Sequence, residues 1–342
     1  MLAAKRALMV GEVARARAIL DALPDSPEAA EQRMWAMVLE DRLDDAAAVL
    51  DAARAAFGAD SPAIQRATGR LSRARARHPH ESSLYARAMA TVAALDAEPH
   101  PNAWESKEDI VPCERPGAKI VVVNFGLWLT MPAEDRLFAS MGMSAVHIPG
   151  LQNRFRGDPN SIIERRAELN QDVFEACRQT GASWILSTGC SGQGLGALSF
   201  GARRQIDGIV AFSPTSTLDL DILEELADAR RDGSIMAPVR EKSQRLGEID
   251  ALADLLRSPV ETTVVYDPAH AYDGIHAVRL ANAPCVELVG VPGDGHLTSQ
   301  AAVASGRLER LLRDTLKRAL KSRLVGRHGL HRDARRRLSG ET

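Results

Sequence analysis

The sequence predicts an α/β fold, a mostly parallel sheet covered by helices, preceded by an all-α helical-repeat module. Three observations support this prediction. Residues 1–97 are rich in Ala, Leu and Arg, and their apolar residues recur at helical spacing with almost no strand signal. From Lys119 onward, short β-branched runs alternate with amphipathic helical segments. Helical connections between successive strands require parallel pairing, with helices on both faces of the sheet.

Composition narrows the class of protein before any motif is considered. The formal net charge of the 342-residue chain is −2, so no basic field suggests nucleic-acid binding. The four cysteines are widely spaced without a C-x-x-C pair, which excludes a zinc ribbon and favours a reducing compartment. No signal peptide and no apolar run of transmembrane length is evident. We therefore expect a cytoplasmic protein without a membrane span, a cofactor or a metal.

The N-terminal module contains an internal repeat. Gly11–Ala22 aligns with Asp41–Ala52, and the run Asp25-Ser-Pro27 aligns with Asp60-Ser-Pro62. A third unit is suggested at Glu81–Ala97. An offset of about 30–35 residues, with Ser-Pro at helix starts, resembles tetratricopeptide repeats. The resemblance implies binding or positioning of a protein partner, and the alternative is an irregular array of helical hairpins.

The rest of the chain divides by composition. Residues 98–118 carry prolines and charges and are predicted to be a linker, whereas residues 119–322 hold the α/β domain. Residues 323–342 are basic and are predicted to be a disordered tail. The predicted strands are 120–124, 145–148, 184–187, 209–212, 262–266 and 286–291, and the predicted helices are 162–177, 218–229, 240–256, 275–280 and 301–320.

The stretch Ser183–Leu198 carries the strongest chemical signal. A short apolar strand is followed by a glycine-rich turn and then by a helix, and the turn holds Cys190 and Ser191. A serine on a sharp strand-to-helix turn is typical of a nucleophile elbow. An acid, Asp267, follows a later strand, and His296 follows the last strand. This chain order of Ser, acid and His suits a catalytic triad.

Residues 119–320 resemble α/β-hydrolase domains. The resemblance is carried by Gly189-Cys-Ser191 … Gly194-Leu-Gly-Ala-Leu198, by Val291-Pro-Gly-Asp-Gly-His296, and by Asp267-Pro268 … His276-Ala-Val-Arg-Leu280. It implies that Ser191 is the nucleophile and His296 the base. We expect a small-molecule or acylated substrate, an ester or thioester, and a peptide stays open as the alternative. The resemblance also implies oxyanion donors in the backbone N–H of Gly192 and of a residue near Gly126 or Leu127.

Two features leave alternatives open. Gln193 stands two residues after Ser191, where the elbow pattern has a small residue. It either lines the pocket or blocks it, and a blocked elbow would make the chain an inactive scaffold. Sliding the pattern by one residue makes Cys190 the nucleophile. The acid is Asp267, which directly follows its strand, or Asp273, which also resembles the N-cap of a helix beginning at Ile275.

A weaker signal suggests a dinucleotide-binding oxidoreductase. Gly192-Gln-Gly194-Leu-Gly-Ala197 matches G-x-G-x-x-[GA] between a strand and a helix. The expected acid after the next strand is missing, and the pattern falls on the third predicted strand rather than the first. The hydrolase interpretation is therefore preferred.

Overall fold

The computed structural model describes residues 1–75, 79–105, 110–148, 166–227, 250–292 and 295–339. Parts of three predicted helices, those over 162–177, 218–229 and 240–256, fall outside these ranges. Among the described residues, no helix has the length and apolar character needed to cross a membrane.

The described part of the N-terminal region contains six helices and no strand, in agreement with its predicted helical character. They are α1 (Leu2–Met9), α2 (Val13–Asp21), α3 (Pro27–Leu39), α4 (Leu43–Phe57), α5 (Pro62–Arg75) and α6 (Pro79–Ala93). The repeated Ser-Pro pairs mark two helix starts: Pro27 begins α3, and the Ser26 hydroxyl accepts a hydrogen bond from the Ala29 N–H at 3.1 Å. Assignment of these helices to tetratricopeptide repeats stays a prediction.

The α/β part contains a seven-stranded sheet that is mostly parallel, as predicted. Its strands are β1 (Val111–Cys113), β2 (Ile120–Asn124), β3 (Ser144–His147), β4 (Trp184–Cys190), β5 (Gly208–Phe212), β6 (Thr262–Tyr266) and β7 (Val286–Gly290). The spatial order is β1-β3-β2-β4-β5-β6-β7, and only β1 runs antiparallel to its neighbour. Strand β3 pairs with β2 on one side, and the next strand along the chain, β4, pairs with β2 on the opposite side. This reversal opens a crevice at the carboxyl ends of β2 and β4.

The edge strand β1 corrects the predicted linker. It lies within residues 98–118 and pairs with β3, and a short helix, α7 (Asn102–Glu105), precedes it. The sequence Val-Pro-Cys is too short for a strand signal, and a proline is tolerated there because β1 lies at the sheet edge. The predicted linker is therefore part of the fold.

Helices cover both faces of the sheet. They are α8 (Met131–Ser140), α9 (Arg166–Gln179), α10 (Gly192–Arg204), α11 (Leu220–Glu225), α12 (Ala251–Arg257), α13 (Ala271–Leu280), α14 (Thr298–Ala304) and α15 (Leu308–Ser339). The helix predicted over 301–320 is divided in two at Gly306, whose φ of 67° suits glycine. The basic tail, predicted to be disordered, instead continues α15 as far as Ser339.

The N-terminal helices share a hydrophobic core with the sheet. Buried residues of α1, α2, α3 and α6 belong to the same cluster as residues of β2 and α8; among them are Leu8, Ala16, Leu39, Met89, Val122 and Phe138. Arg136 on α8 joins the two regions, since its guanidinium lies 2.7 Å from Glu12 and also donates to the Leu95 carbonyl at 2.8 Å. Burial alone would raise the pKa of Glu12, but hydrogen bonds from Arg136 and Arg15 lower it. Residues 1–97 are thus packed into the fold.

Replacing Arg136 with alanine is expected to destabilise the whole chain by about 2 kcal/mol, because its hydrogen bonds to Glu12 and to the Leu95 carbonyl are lost while Arg15 remains paired with Glu12. The matched control is Arg17→Ala, which removes an exposed ion pair with Glu40 and should cost less than about 1 kcal/mol. Urea unfolding monitored by circular dichroism measures both values. Equal midpoints for the two variants would show that the contact between α8 and the N-terminal helices does not contribute to stability.

Candidate active site

Ser191 occupies a strained turn between β4 and α10. Its backbone has φ 57° and ψ −126°, a conformation that costs a non-glycine residue about 1–3 kcal/mol. Two hydrogen bonds hold the turn, from the Ser191 N–H to Phe212 O at 2.9 Å and from the Thr215 N–H to Ser191 O at 3.2 Å. The side chain is half-buried, and the N-terminal N–H groups of α10 lie beside it. The strand-to-helix turn that the sequence predicts at Ser191 is present, and its role as a nucleophile elbow stays a prediction.

The glycines around Ser191 permit close packing. A Cβ on Gly189 would lie 2.5 Å from the Gln193 carbonyl oxygen, and one on Gly194 would lie 2.9 Å from Pro214 Cβ. Gly196 approaches the Phe125 ring equally closely. Close packing therefore explains Gly194 in the glycine pattern, whereas a Cβ on Gly192 would meet nothing within 4 Å. The pattern lies inside α10 and not in a phosphate-binding loop, so the oxidoreductase interpretation loses its support.

A continuous line of hydrogen bonds connects three side chains from distant parts of the chain. His296 Nε2 lies 2.9 Å from Ser191 Oγ, and His296 Nδ1 lies 2.8 Å from Asp273 Oδ1. Asp273 is 1% exposed and His296 is 18% exposed, so the line runs from the interior to a solvent-accessible hydroxyl. This arrangement suits transfer of the serine proton to an imidazole whose charge the carboxylate would stabilise.

Of the two candidate acids, Asp273 is the one hydrogen-bonded to His296. Asp267 accepts hydrogen bonds from the backbone N–H groups of Ala269 and Gly295, each at 2.8 Å. It therefore shapes the turn after β6 and positions the loop that carries His296. Asp273 is also not an N-cap, because α13 already begins at Ala271.

The alternative nucleophile, Cys190, is inaccessible. It is the last residue of β4, its side chain is fully buried, and its N–H donates to Gly126 O at 3.0 Å. Burial raises the pKa of its thiol to about 12. A buried, protonated thiol is a poor nucleophile, so the slid pattern is wrong.

The backbone donors predicted near Gly126 and Leu127 are already engaged. The Gly126 N–H donates to Asn124 Oδ1 at 3.1 Å, and the Leu127 N–H donates to Glu134 Oε1 at 2.8 Å. The same Glu134 oxygen accepts the Leu129 N–H at 3.0 Å. A donor committed to an internal acceptor is not available to an oxyanion, so both predicted positions are corrected.

Trp128, between the two anchored residues, is partly buried. Its N–H has no hydrogen bond to any described residue, and its φ of 64° turns the backbone away from that of its neighbours. Its ring packs edge-on against the His296 ring, with 5.3 Å between centroids. Helix α14 fixes the loop from the other side, where the Gln300 amide donates to Trp128 O at 3.2 Å. The Gly192 N–H, at the exposed start of α10, also has no acceptor among the described residues.

Beneath this loop lies a buried polar network that sequence reasoning missed. Glu134 accepts a hydrogen bond from Asn124 Nδ2 at 2.5 Å, and Asn124 Nδ2 lies 2.9 Å from His147 Nδ1. Burial raises the pKa of Glu134 above its usual range. His147, on β3, is likewise buried and hydrogen-bonded in the interior. The network ties the ends of β2 and β3 to the Trp128 loop.

Gln193 is accommodated within the protein. Only 6% of its surface is exposed, and its side-chain Oε1 has no hydrogen-bond partner among the described residues. Gly192, not Gln193, is the exposed residue after Ser191. A role for Gln193 in lining the pocket stays a prediction.

A second histidine, not identified from the sequence, lies beside the first. His270 is the N-cap of α13, its Nδ1 is 3.1 Å from Asp273 Oδ1, and its ring centroid is 5.4 Å from that of His296. No motif marks this residue. Only the position of the α13 N-terminus could have suggested it.

Comparison with known proteins gives low similarities. Neither a protein-family model nor a curated protein sequence matches the chain. A solved structure from work on LipS and LipT, two metagenome-derived lipolytic enzymes, shares 14% identity at a TM-score of 0.40, over 63% of this chain and 99% of that one. A structure from work on carboxylesterases of the thaumarchaeon Nitrososphaera gargenis shares 12% sequence identity at a TM-score of 0.43. The match covers 64% of this chain and 98% of that one. The acylaminoacyl peptidase of Pyrococcus horikoshii shares 15% sequence identity at a TM-score of 0.41. That match covers 59% of this chain but only 37% of the peptidase chain. Such low similarities do not establish what this chain does.

Proposed function

We propose that this chain is a serine hydrolase of the α/β-hydrolase type that cleaves a small-molecule or acylated ester or thioester. One observation carries the proposal: the hydrogen bonds that connect Ser191 Oγ, His296 and Asp273 at a strained strand-to-helix turn. The position at the carboxyl ends of the central strands, where the chain order of the sheet reverses, is where α/β proteins bind ligands.

The proposed reaction proceeds through an acyl-enzyme. His296 Nε2 takes the Ser191 proton while Oγ attacks the substrate carbonyl carbon, and the carbonyl electrons move to oxygen. When the tetrahedral intermediate collapses, the bond to the alcohol or thiol breaks and His296 returns the proton to that leaving group. Water then repeats the sequence on the acyl-serine, releasing the acid and restoring Ser191. Asp273 holds the proton of His296 on Nδ1 throughout.

The proposed oxyanion donors are the backbone N–H groups of Gly192 and Trp128. Both lack an internal acceptor among the described residues. Gly192 directly follows the nucleophile, and Trp128 packs against the base. The proposal replaces the predicted Gly126 and Leu127, whose N–H groups are occupied. Two preorganised donors would stabilise the developing negative charge at no reorganisation cost.

Covalent labelling tests the proposal directly. A fluorophosphonate probe is expected to modify the native chain once, at Ser191, and mass spectrometry of the proteolytic peptides identifies the residue. Heat-denatured protein is the control, because an unactivated serine hydroxyl does not react. Labelling at another residue, or none above the control, would leave the inactive-scaffold interpretation as the better one.

Glu134 is expected to act as a positioning residue for the Trp128 donor. Glu134→Ala removes the acceptor of the Leu127 and Leu129 N–H groups, so the loop loses its anchor. We expect kcat on a p-nitrophenyl short-chain ester to fall about 100-fold, the typical effect of losing one oxyanion donor, with little change in KM.

The matched variant is Glu134→Gln, which keeps an oxygen for the two N–H groups and loses only the acceptor of Asn124 Nδ2. It should recover most of the lost kcat, and thermal unfolding of both variants would reveal any general loss of folding. If the alanine and glutamine variants lose kcat equally, or if KM alone rises, anchoring of the Trp128 loop by Glu134 is not what supports turnover.

A further inference from the structure

Three metal-ligating atoms converge beside Ser191. They come from His270, His296 and Asp273 and lie within 4.8 Å of one another, with Asp273 Oδ1 facing Nδ1 of both histidines. The carboxylate oxygen is 3.1 Å from the first nitrogen and 2.8 Å from the second. The described residues thus contain a two-histidine, one-carboxylate cluster assembled from α13 and the loop after β7.

The hydrogen bonding of Asp273 is incomplete. Both imidazoles approach Oδ1, whereas Oδ2 is buried without a hydrogen-bond partner among the described residues. Asp273 itself is 1% exposed. A buried carboxylate oxygen without a partner is costly, and a cation bound at the carboxylate would reduce that cost. His270 Nδ1 also lies 3.4 Å from the Asp273 N–H, to which a deprotonated nitrogen is the acceptor. In that form the lone pair accepts only this long hydrogen bond, and a cation beside Oδ1 would take it over.

The spacing and the ligand types fit a tetrahedral transition-metal ion. Zinc binds His nitrogen and carboxylate oxygen at about 2.0–2.2 Å, so tetrahedral ligands lie roughly 3.3 Å apart. The distances from Asp273 Oδ1 to the Nδ1 atoms of His296 and His270 are 2.8 and 3.1 Å, so the ligands would have to move apart only slightly to admit the ion. Two imidazoles favour zinc or its neighbours over calcium or magnesium. His270 and His296 are 32% and 18% exposed, which gives an ion and a fourth ligand, water, access from solvent.

A second cluster, formed by Cys113, Asp135 and His147, does not fit an ion as well. All three residues are buried, and the Asp135 carboxylate already pairs with the Arg115 guanidinium at 2.6 Å. A cation there would be repelled by an arginine that already neutralises the acid.

We propose that His270, His296 and Asp273 form a binding site for Zn²⁺ that reversibly switches off the hydrolase. Coordination through Nδ1 uses the lone pair of that nitrogen, so the proton of neutral His296 must reside on Nε2. In this tautomer Nε2 donates to Ser191 Oγ and cannot accept its proton. The inhibitory consequence rests on the proposed function, whereas the metal site itself does not.

Calorimetric titration of ZnCl₂ into the full chain tests the site without reference to activity. We expect one ion per chain at this site, and His270→Asn should weaken binding about 100-fold or more. Asparagine retains the N-cap role of His270, so α13 should stay folded. His100→Asn, which removes a histidine outside the cluster, should bind as wild type does. With Co²⁺ as the probe, a tetrahedral absorption band should appear in wild type and disappear in His270→Asn.

Ser191→Ala separates the two proposals. This variant keeps all three ligands and should bind Zn²⁺ as wild type does, although it has lost the nucleophile. In the ester assay, Zn²⁺ should inhibit wild type reversibly, with recovery on adding a chelator. Unchanged Zn²⁺ affinity in His270→Asn would place the ion elsewhere and overturn the site, whatever the activity. Zn²⁺ bound at His270 without inhibition of turnover would overturn the switch alone.

Discussion

Ser191→Ala is expected to lower kcat/KM for a p-nitrophenyl short-chain ester by on the order of 10⁴–10⁶, the effect of deleting the nucleophile of a triad. The hydroxyl provides the attacking oxygen, and His296 Nε2 would have no proton to accept. Residual turnover would come from the oxyanion donors and from substrate binding. The melting temperature should change little, because the half-buried hydroxyl contributes little packing.

The neighbouring cysteine provides the matched control. Cys190→Ala removes the other nucleophile-capable side chain of the turn, but that thiol is fully buried. We expect kcat/KM to stay within about tenfold of wild type, with a loss of roughly 1 kcal/mol in stability from the small cavity. Activity retained by Ser191→Ala and abolished by Cys190→Ala would reverse the assignment. If neither substitution changes a measurable kcat/KM, neither side chain of this turn is the nucleophile.

Local sequence was sufficient to predict the strand-to-helix turn at Ser191. A buried parallel strand appears as a continuous apolar run, and the close contacts at Gly189 and Gly194 exclude any larger residue. Both constraints lie within a few residues of Ser191. The six strands that the sequence predicts are all present for the same reason, since each is a short β-branched or apolar run bounded by turn residues.

Contacts between distant segments were not predictable in this way. The donor groups of the Trp128 loop depend on Glu134, which lies on the next helix and gives no sequence signal of its own. Strand β1 exists because β3 offers it an edge, not because three residues prefer extended structure. Packing of the N-terminal helices on α8 likewise depends on Arg136, which in sequence looks like any helical arginine.

The choice between the two acids shows the same limit. Asp267 follows β6 directly, where an acid often serves a triad, and the sequence cannot show that its oxygens are used by Ala269 and Gly295. Asp273 seemed to be a helix cap because the helix signal begins at Ile275. Helix α13 in fact begins at Ala271, and the extra turn places Asp273 on the side that faces His296.

Asp273→Asn is therefore expected to lower kcat by about 10⁴, as the equivalent substitution does in a serine protease triad. An asparagine amide facing His296 Nδ1 would favour the tautomer that carries its proton on Nε2, which cannot accept the Ser191 proton. Asp267→Asn is the matched variant: it retains one oxygen for the backbone N–H groups and should cost at most about tenfold in kcat and roughly 1 kcal/mol in stability. Steady-state kinetics on the same ester, with the melting temperature of each variant, measures both. A collapse of kcat in Asp267→Asn with near-normal turnover in Asp273→Asn would mean that the His296 loop changes its carboxylate partner when substrate binds, and that Asp267 is the working acid.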